Sequence, residues 1–263
     1  MSLQPADGFT PDETSNVMAI DLWKTAAILL MFVDHYGNFF APEETVWRAI
    51  GRACLPIWFF LIGFARSRGV QVQWLIAGAI LTLIDYLTSP GLPETYVNIL
   101  INFMIIRVCL TPIERYILPD VLRLAVLCIF LALLEPLAGH YLEYGSHGML
   151  LALAGLLHRH WLDSKGTSAA QDWFYKRAGA GFYGAAAFII VENSIYDFPP
   201  WQLVLLIALC TSIAFGLILF QPASINVRST ALANALRFTG VYSLHIYAIH
   251  IAALMLYAGL TNK

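Results

Sequence analysis

The chain has 263 residues, of which 59% are hydrophobic and 12% charged, with a formal net charge of −2. Together with a strongly positive mean hydropathy, that balance excludes an ordinary soluble domain, and with no basic or acidic tail there is no electrostatic footprint for nucleic acid. The spaced apolar runs predict an all-α, polytopic integral membrane helical bundle. The four cysteines, Cys54, Cys109, Cys128 and Cys210, sit in apolar runs without CxxC spacing. They read as packing residues, and neither a disulfide nor a metal site is expected.

In chain order, the polar opening over residues 1–17 lacks a basic n-region followed by an apolar h-region, so it is expected to be a disordered leader and not a cleaved signal. Residues 18–263 are expected to form one transmembrane domain of about nine spans, within a range of eight to ten. The spans lie near 19–37, 47–65, 71–87, 97–111, 121–137, 146–161, 178–195, 201–220 and 239–259. Connections after the second, fourth, sixth and eighth spans carry Arg66 and Arg68, then Arg115 and Arg123, then Arg159, Lys165, Lys176 and Arg177, then Arg228 and Arg237. The other connections hold no lysine or arginine apart from Arg48 and Arg52. Positive residues favour the cytoplasmic side, so the amino terminus is expected inside and the protein in the cytoplasmic (inner) membrane.

Charge inside a span is expensive, and the first span carries Lys24, Asp34 and His35. Eleven helical steps from Lys24 to His35 leave a rotation of about 20° and a rise of ~16 Å, so the two share a face about half a bilayer apart. Ile28 and Met31 fall on that stripe between them and Asn38 extends it. His35 reads as a general base, with Asp34 either fixing its tautomer or, because neighbours on a helix point about 100° apart, pairing with Arg52 instead. Arg48 and Arg52, four residues apart, share a face suited to a carboxylate or phosphate, with Asp85 and Glu192 as expected partners. Asn98, Asn102, Glu135 and His147 also fall in outer halves, which predicts a polar outer vestibule, with Arg52 or Asn102 available to stabilise an oxyanion. Lys24, Arg66, Arg68 and Arg107 fall on the inner side and suit the phosphates of a cofactor. In the last span Ser243, Tyr247 and His250 lie within about 40° of each other. His158, His160 and Trp161 are read as a solvated connection facing headgroups.

MFVDHYG in the first span, followed by IGRACLPIWFFLIGFARSRG and, near the end, YSLHIYAIHI, resembles the TraX family of membrane acetyltransferases. The resemblance rests on Asp34, His35, Gly51, Arg52, Pro56, Phe59, Gly63 and Phe64 and spans about a quarter of the chain. More widely, a basic residue ahead of a first-span histidine, here Lys24 before His35, is similar to the acyltransferase 3 group and the heparan-glucosaminide acetyltransferases. The resemblance implies acyl transfer from cytoplasmic acetyl-CoA to a hydroxyl or amine, on a glycan, a lipid or a pilin amino terminus, with His35 catalytic. Tyr247 and His250 would then face the acceptor. The alternatives are a proton-coupled transporter using Asp34, His35, Asp85 and Glu192, or a structural subunit whose polar residues hold helices together.

Overall fold

An apolar chain in lipid satisfies its backbone hydrogen bonds internally, and this one does so with helices. The computed structural model describes residues 16–88, 97–117 and 120–261. Residues 1–15 of the expected leader and most of the connection before Val97 lie outside the described residues. The helices are α1 (Ala19–Phe40), α2 (Thr45–Gly51), α3 (Cys54–Phe64), α4 (Val72–Thr88), α5 (Ile99–Ile117) and α6 (Val121–Tyr141). They continue as α7 (His147–Asp163), α8 (Ala170–Tyr196), α9 (Pro200–Leu219), α10 (Thr230–Val241) and α11 (Ser243–Thr261). Strands β1 (Asn16–Met18) and β2 (Ser224–Asn226) pair antiparallel with Val17 opposite Ile225.

Five helical segments, 45–64, 121–141, 170–196, 200–219 and 243–261, are long and apolar enough to cross a membrane, and Val72–Thr88 is a shorter apolar helix. The protein is a multi-pass, all-α membrane bundle. Helix covers each expected span, with three differences. The second span is two helices, separated at Arg52 and Ala53, where the Arg52 N–H still returns to the Arg48 carbonyl (2.9 Å). The ninth begins at Ser243, because residues 239–241 finish α10. The basic stretch from 158 to 177 is mostly the end of α7 and the start of α8, not an open connection. Residues 16 and 17 of the expected leader belong to β1, and Val17 is buried.

Burial sorts the helices. Nine residues of α3 and twelve of α7 are buried, so these two occupy the centre, as helices apolar all round must. Leu133, Phe182 and Leu260, on α6, α8 and α11, are exposed, as befits a lipid-facing ring. At the central crossing a Cβ on Gly63 would meet the Ala152 backbone, and one on Gly155 would meet the Phe60 carbonyl. Small residues bring the two backbones together there, the usual device for helices that gain nothing from hiding apolar area in lipid.

The basic connections gather at one end through contacts between distant segments. Arg66 pairs with Asp163 (2.6 Å), Arg159 donates to the Ala65 carbonyl (2.6 Å) and His158 bonds the Phe220 carbonyl (2.9 Å). The β1–β2 ribbon ties the start of α1 to the same end. The tightness of the α3–α7 crossing sets an expectation: Gly155→Ala should cost about 1 to 3 kcal/mol. Loss of thermal stability in detergent would show it, and an unshifted unfolding temperature would count against the crossing.

Candidate functional site

Helix α1 places Asp34 and His35 on different flanks, and the two do different things. Asp34 is buried against the end of α2, where Gly51 lets the α1 backbone come close: a Cβ there would strike Asp34 itself. Arg48 donates through Nη1 to the Asp34 carboxylate (2.8 Å) and to its main-chain carbonyl (3.0 Å). Arg52 puts Nε 3.6 Å from Asp34 Oδ1 and 3.3 Å from Glu192 Oε2 on α8. Two carboxylates thus face two guanidinium groups. Arg48 also donates to the Tyr196 hydroxyl (2.6 Å), and Arg52 to Tyr144 (2.7 Å) and, closely, to Tyr196.

His35 does not bond to Asp34. Its ring stacks on His250 of α11 at 5.2 Å between centroids and 13° between planes, with Tyr247 6.2 Å away. Its Nδ1 is buried and has no hydrogen-bond partner among the described residues.

Two cavities meet at this point. One, of about 360 Å³, runs along Lys24, Met31, Leu61, Trp74, Phe103 and Arg107 to His35. The other, of about 910 Å³, is lined by Arg48, Arg52, Asp85, Asn98, Glu192 and Tyr196, among others. Asp34, His35, Glu143, Tyr144 and Tyr247 line both. Burial pushes the carboxyl of Glu143, in the connection after α6, above the usual carboxylate range, although the Ile99 N–H bonded to it (2.7 Å) opposes the shift.

The other expected residues sort as follows. Lys24 lines the smaller cavity while donating to the Gly240 carbonyl (2.8 Å), and Arg107 lines it while stacked on Trp74 (4.8 Å) and bonded to the Gly69 carbonyl (2.9 Å). Arg66 is exposed and does not line that cavity; nor does Arg68, which bonds Ala65, a residue of its wall, and Glu114. Asn102 lines neither cavity: it is buried, with its amide donating to the Glu143 carbonyl (2.6 Å). His250 stands behind His35 and lines neither cavity, while Ser243 and His245 line the smaller one. His158 is not solvated: it is fully buried in α7, between the Phe220 carbonyl and Arg177 (2.8 Å). Its imidazole bonds the last turn of α9, whose end has no backbone partner of its own. No cluster of His, Cys, Asp or Glu among the described residues is placed to hold a metal ion.

Tyr144 and Tyr196, which complete the arginine network, were not legible as site residues. Their one signal is position: Tyr144 lies in the short connection after α6 and Tyr196 ends α8, each at or beside a left-handed residue, φ 65° at Tyr144 and 46° at Asp197.

A family model described as TraX protein matches residues 19–258, which contain the whole ion network and, Gly259 apart, the lining of both cavities. The chain belongs to the TraX family. An uncharacterized protein of Rickettsia prowazekii (strain Madrid E) is 36% identical over 63 residues, 24% of this chain and 25% of that protein. The chain thus spans about a quarter of that relative's length. No solved structure matches.

In this TraX-family chain the network itself is open to test. Asp34→Asn leaves a buried arginine uncompensated and should lower stability by about 3 to 5 kcal/mol. Adding Arg48→Gln should recover part of that loss, measured as unfolding temperature in a double-mutant cycle. Strict additivity of the two changes would mean that the pair is not coupled.

Proposed function

We propose that this protein is a transmembrane acyltransferase of the cytoplasmic membrane that moves an acetyl group from acetyl-CoA to a hydroxyl or amine of a glycan, a lipid or a protein amino terminus. The observation that carries this reading is the shared wall: a smaller cavity with Lys24 and Arg107 along it, and a larger one that holds Arg48, Arg52, Asp85 and Glu192, are both lined by His35. A pantetheine arm fits the first in chemistry, with cations near its phosphates and an apolar lining for its chain. The second offers carboxylates, amides and tyrosines to a polar acceptor.

His35 is suited to act at the junction. A neutral imidazole in a partly desolvated wall takes a proton from the acceptor or receives the acyl group itself. Arg52, fixed beside it by Glu192 and Tyr144, offers positive charge to the thioester oxygen as it becomes an oxyanion. Asp34, which turns to the arginines, sets the position of α1 and not the tautomer of His35. The same fixed pairs weigh against a proton-coupled carrier, since Asp34 and Glu192 are held on guanidinium groups and a relay needs acids free to titrate.

Two outcomes follow. His35→Ala should leave folding and acetyl-CoA binding intact and lower turnover ~10² to 10⁴-fold. Transfer of label from acetyl-CoA in sealed, oriented vesicles reads it: a parent-like rate ends the assignment, and label only on an acceptor at the donor's face ends its transmembrane form. Arg107→Ala should weaken CoA binding about tenfold to a hundredfold, the worth of one charge-assisted contact. Calorimetry on the purified variant measures this, and unchanged affinity would move the phosphate site elsewhere.

A further inference from the structure

Resting on the acyltransferase reading above, we infer that His147, oriented by Glu135, is a second histidine base, on the wall of the larger cavity, that takes the proton of the acceptor's N–H or O–H group. The structure builds this position from three elements. Helix α6 supplies Glu135, just before Pro136 interrupts the helix ladder; the turn at Tyr144 and Gly145 reverses the chain; and α7 starts at His147. One Glu135 oxygen accepts the backbone N–H of His147 (2.8 Å) and lies 2.8 Å from Ser146 Oγ, while the other lies 2.9 Å from His147 Nδ1.

A carboxylate only accepts, so Nδ1 carries the hydrogen and the lone pair of the neutral ring resides on Nε2. That is the carboxylate–imidazole arrangement that holds a ring in one tautomer and one orientation. His147 is 2% exposed, it lines the 910 Å³ cavity, and nothing among the described residues hydrogen-bonds its Nε2. Capping of α7 accounts for the Glu135 bonds to the backbone and to Ser146. It does not account for an imidazole held by the second oxygen with its other nitrogen free.

Gly145 shows how closely the position is built. Its φ of 37° suits glycine, and a Cβ there would run into the Glu135 carboxylate. Tyr144, on the same turn, packs 6.3 Å from the His147 ring and receives the Arg52 hydrogen bond, so the dyad is joined to the network around Asp34. Phe188 of α8 closes the other side at 5.7 Å.

In the step assigned to His147, the acceptor's X–H bond breaks and its proton goes to Nε2 as X bonds the acyl carbon. The carbon–sulfur bond breaks and its electron pair leaves with the CoA thiolate. The thiolate takes a proton from solvent on the donor side, and His147 returns one to solvent through the larger cavity. His147 thus takes over the acceptor proton that the reading above gave to His35, and His35, on the wall shared by both cavities, positions the thioester. Glu135 and Gly145 act through His147 and are positioning residues.

The test uses the full chain in detergent, with labelled acetyl-CoA as donor, glucosamine as amine probe and N-acetylglucosamine as hydroxyl probe. Diethyl pyrocarbonate labelling of histidines, mapped by mass spectrometry, runs in parallel. His147→Gln should keep acetyl-CoA affinity within about twofold while kcat falls ~10² to 10⁴-fold. Glu135→Gln and Gly145→Ala should lower kcat less, with kcat expressed per acetyl-CoA-binding site titrated by calorimetry so that any loss of folded protein is divided out. In the parent, His147 should be carbethoxylated under conditions that modify His35, and less so in Gly145→Ala. Turnover of His147→Gln at the parent rate, or a His147 that stays unmodified while His35 reacts, overturns the proposal. If the parent binds no acetyl-CoA, the acyltransferase reading falls by itself, and the proposal, which rests on it, falls with it. If it binds acetyl-CoA but transfers to neither probe, the labelling decides alone.

Discussion

The arrangement depends on one electrostatic constraint: Arg48 and Arg52, in the interior of a membrane bundle, have to be neutralised, and Asp34 and Glu192 do it. Desolvating four charges is costly unless each finds opposite charge and hydrogen bonds, and here Tyr144 and Tyr196 take up further guanidinium donors. Because the partners come from α1, α2, the turn before α3, the connection before α7, and α8, the network clamps those elements together. The two cavities meet against it.

The clamp bears on local backbone geometry. Helical spacing places Arg48 and Arg52 about 40° apart on one face. The bond from the Arg52 N–H to the Arg48 carbonyl keeps that turn intact, so both arginines reach Asp34 from the same face while Gly51 admits the α1 backbone. The left-handed residues at Tyr144 and Asp197 likewise sit beside the tyrosines that finish the network. Among the described residues both non-glycine left-handed positions lie at these polar groups, as expected of a region held in place by the rest of the fold.

Around that point the helices divide the work. The buried pair α3 and α7 gives a rigid centre, and α7 carries polar groups at both ends: His147 with Glu135 at its start, and His158 and Arg159 near its finish. The outer helices expose aliphatic and aromatic side chains and contribute single polar residues inward, such as Glu192 from α8 and Tyr247 from α11.

Much of this was legible in the residues alone. Apolar run lengths located the helices, because a lipid-exposed chain has few other ways to satisfy its backbone. The stripe from Lys24 to His35 followed from helical geometry, and both residues line the smaller cavity. The DHYG and GRxxxP signatures belong to the family whose model matches residues 19–258. Side-chain partners were not legible. Whether Asp34 faces His35 or two arginines depends on how closely α2 approaches α1, and only packing decides that. Tyr144, Tyr196 and the His147–Glu135 dyad escaped notice for the same reason: they join segments far apart in sequence, and periodicity reports the face of one helix but not what lies across from it. His158 looked solvated because it follows an apolar run, yet α9 ends against it and buries it. Local sequence determined where the chain is helical and which groups are polar; tertiary structure alone decided which of those polar groups meet, because charges buried in a low-dielectric interior settle on whichever opposite charge the fold brings within a few ångströms.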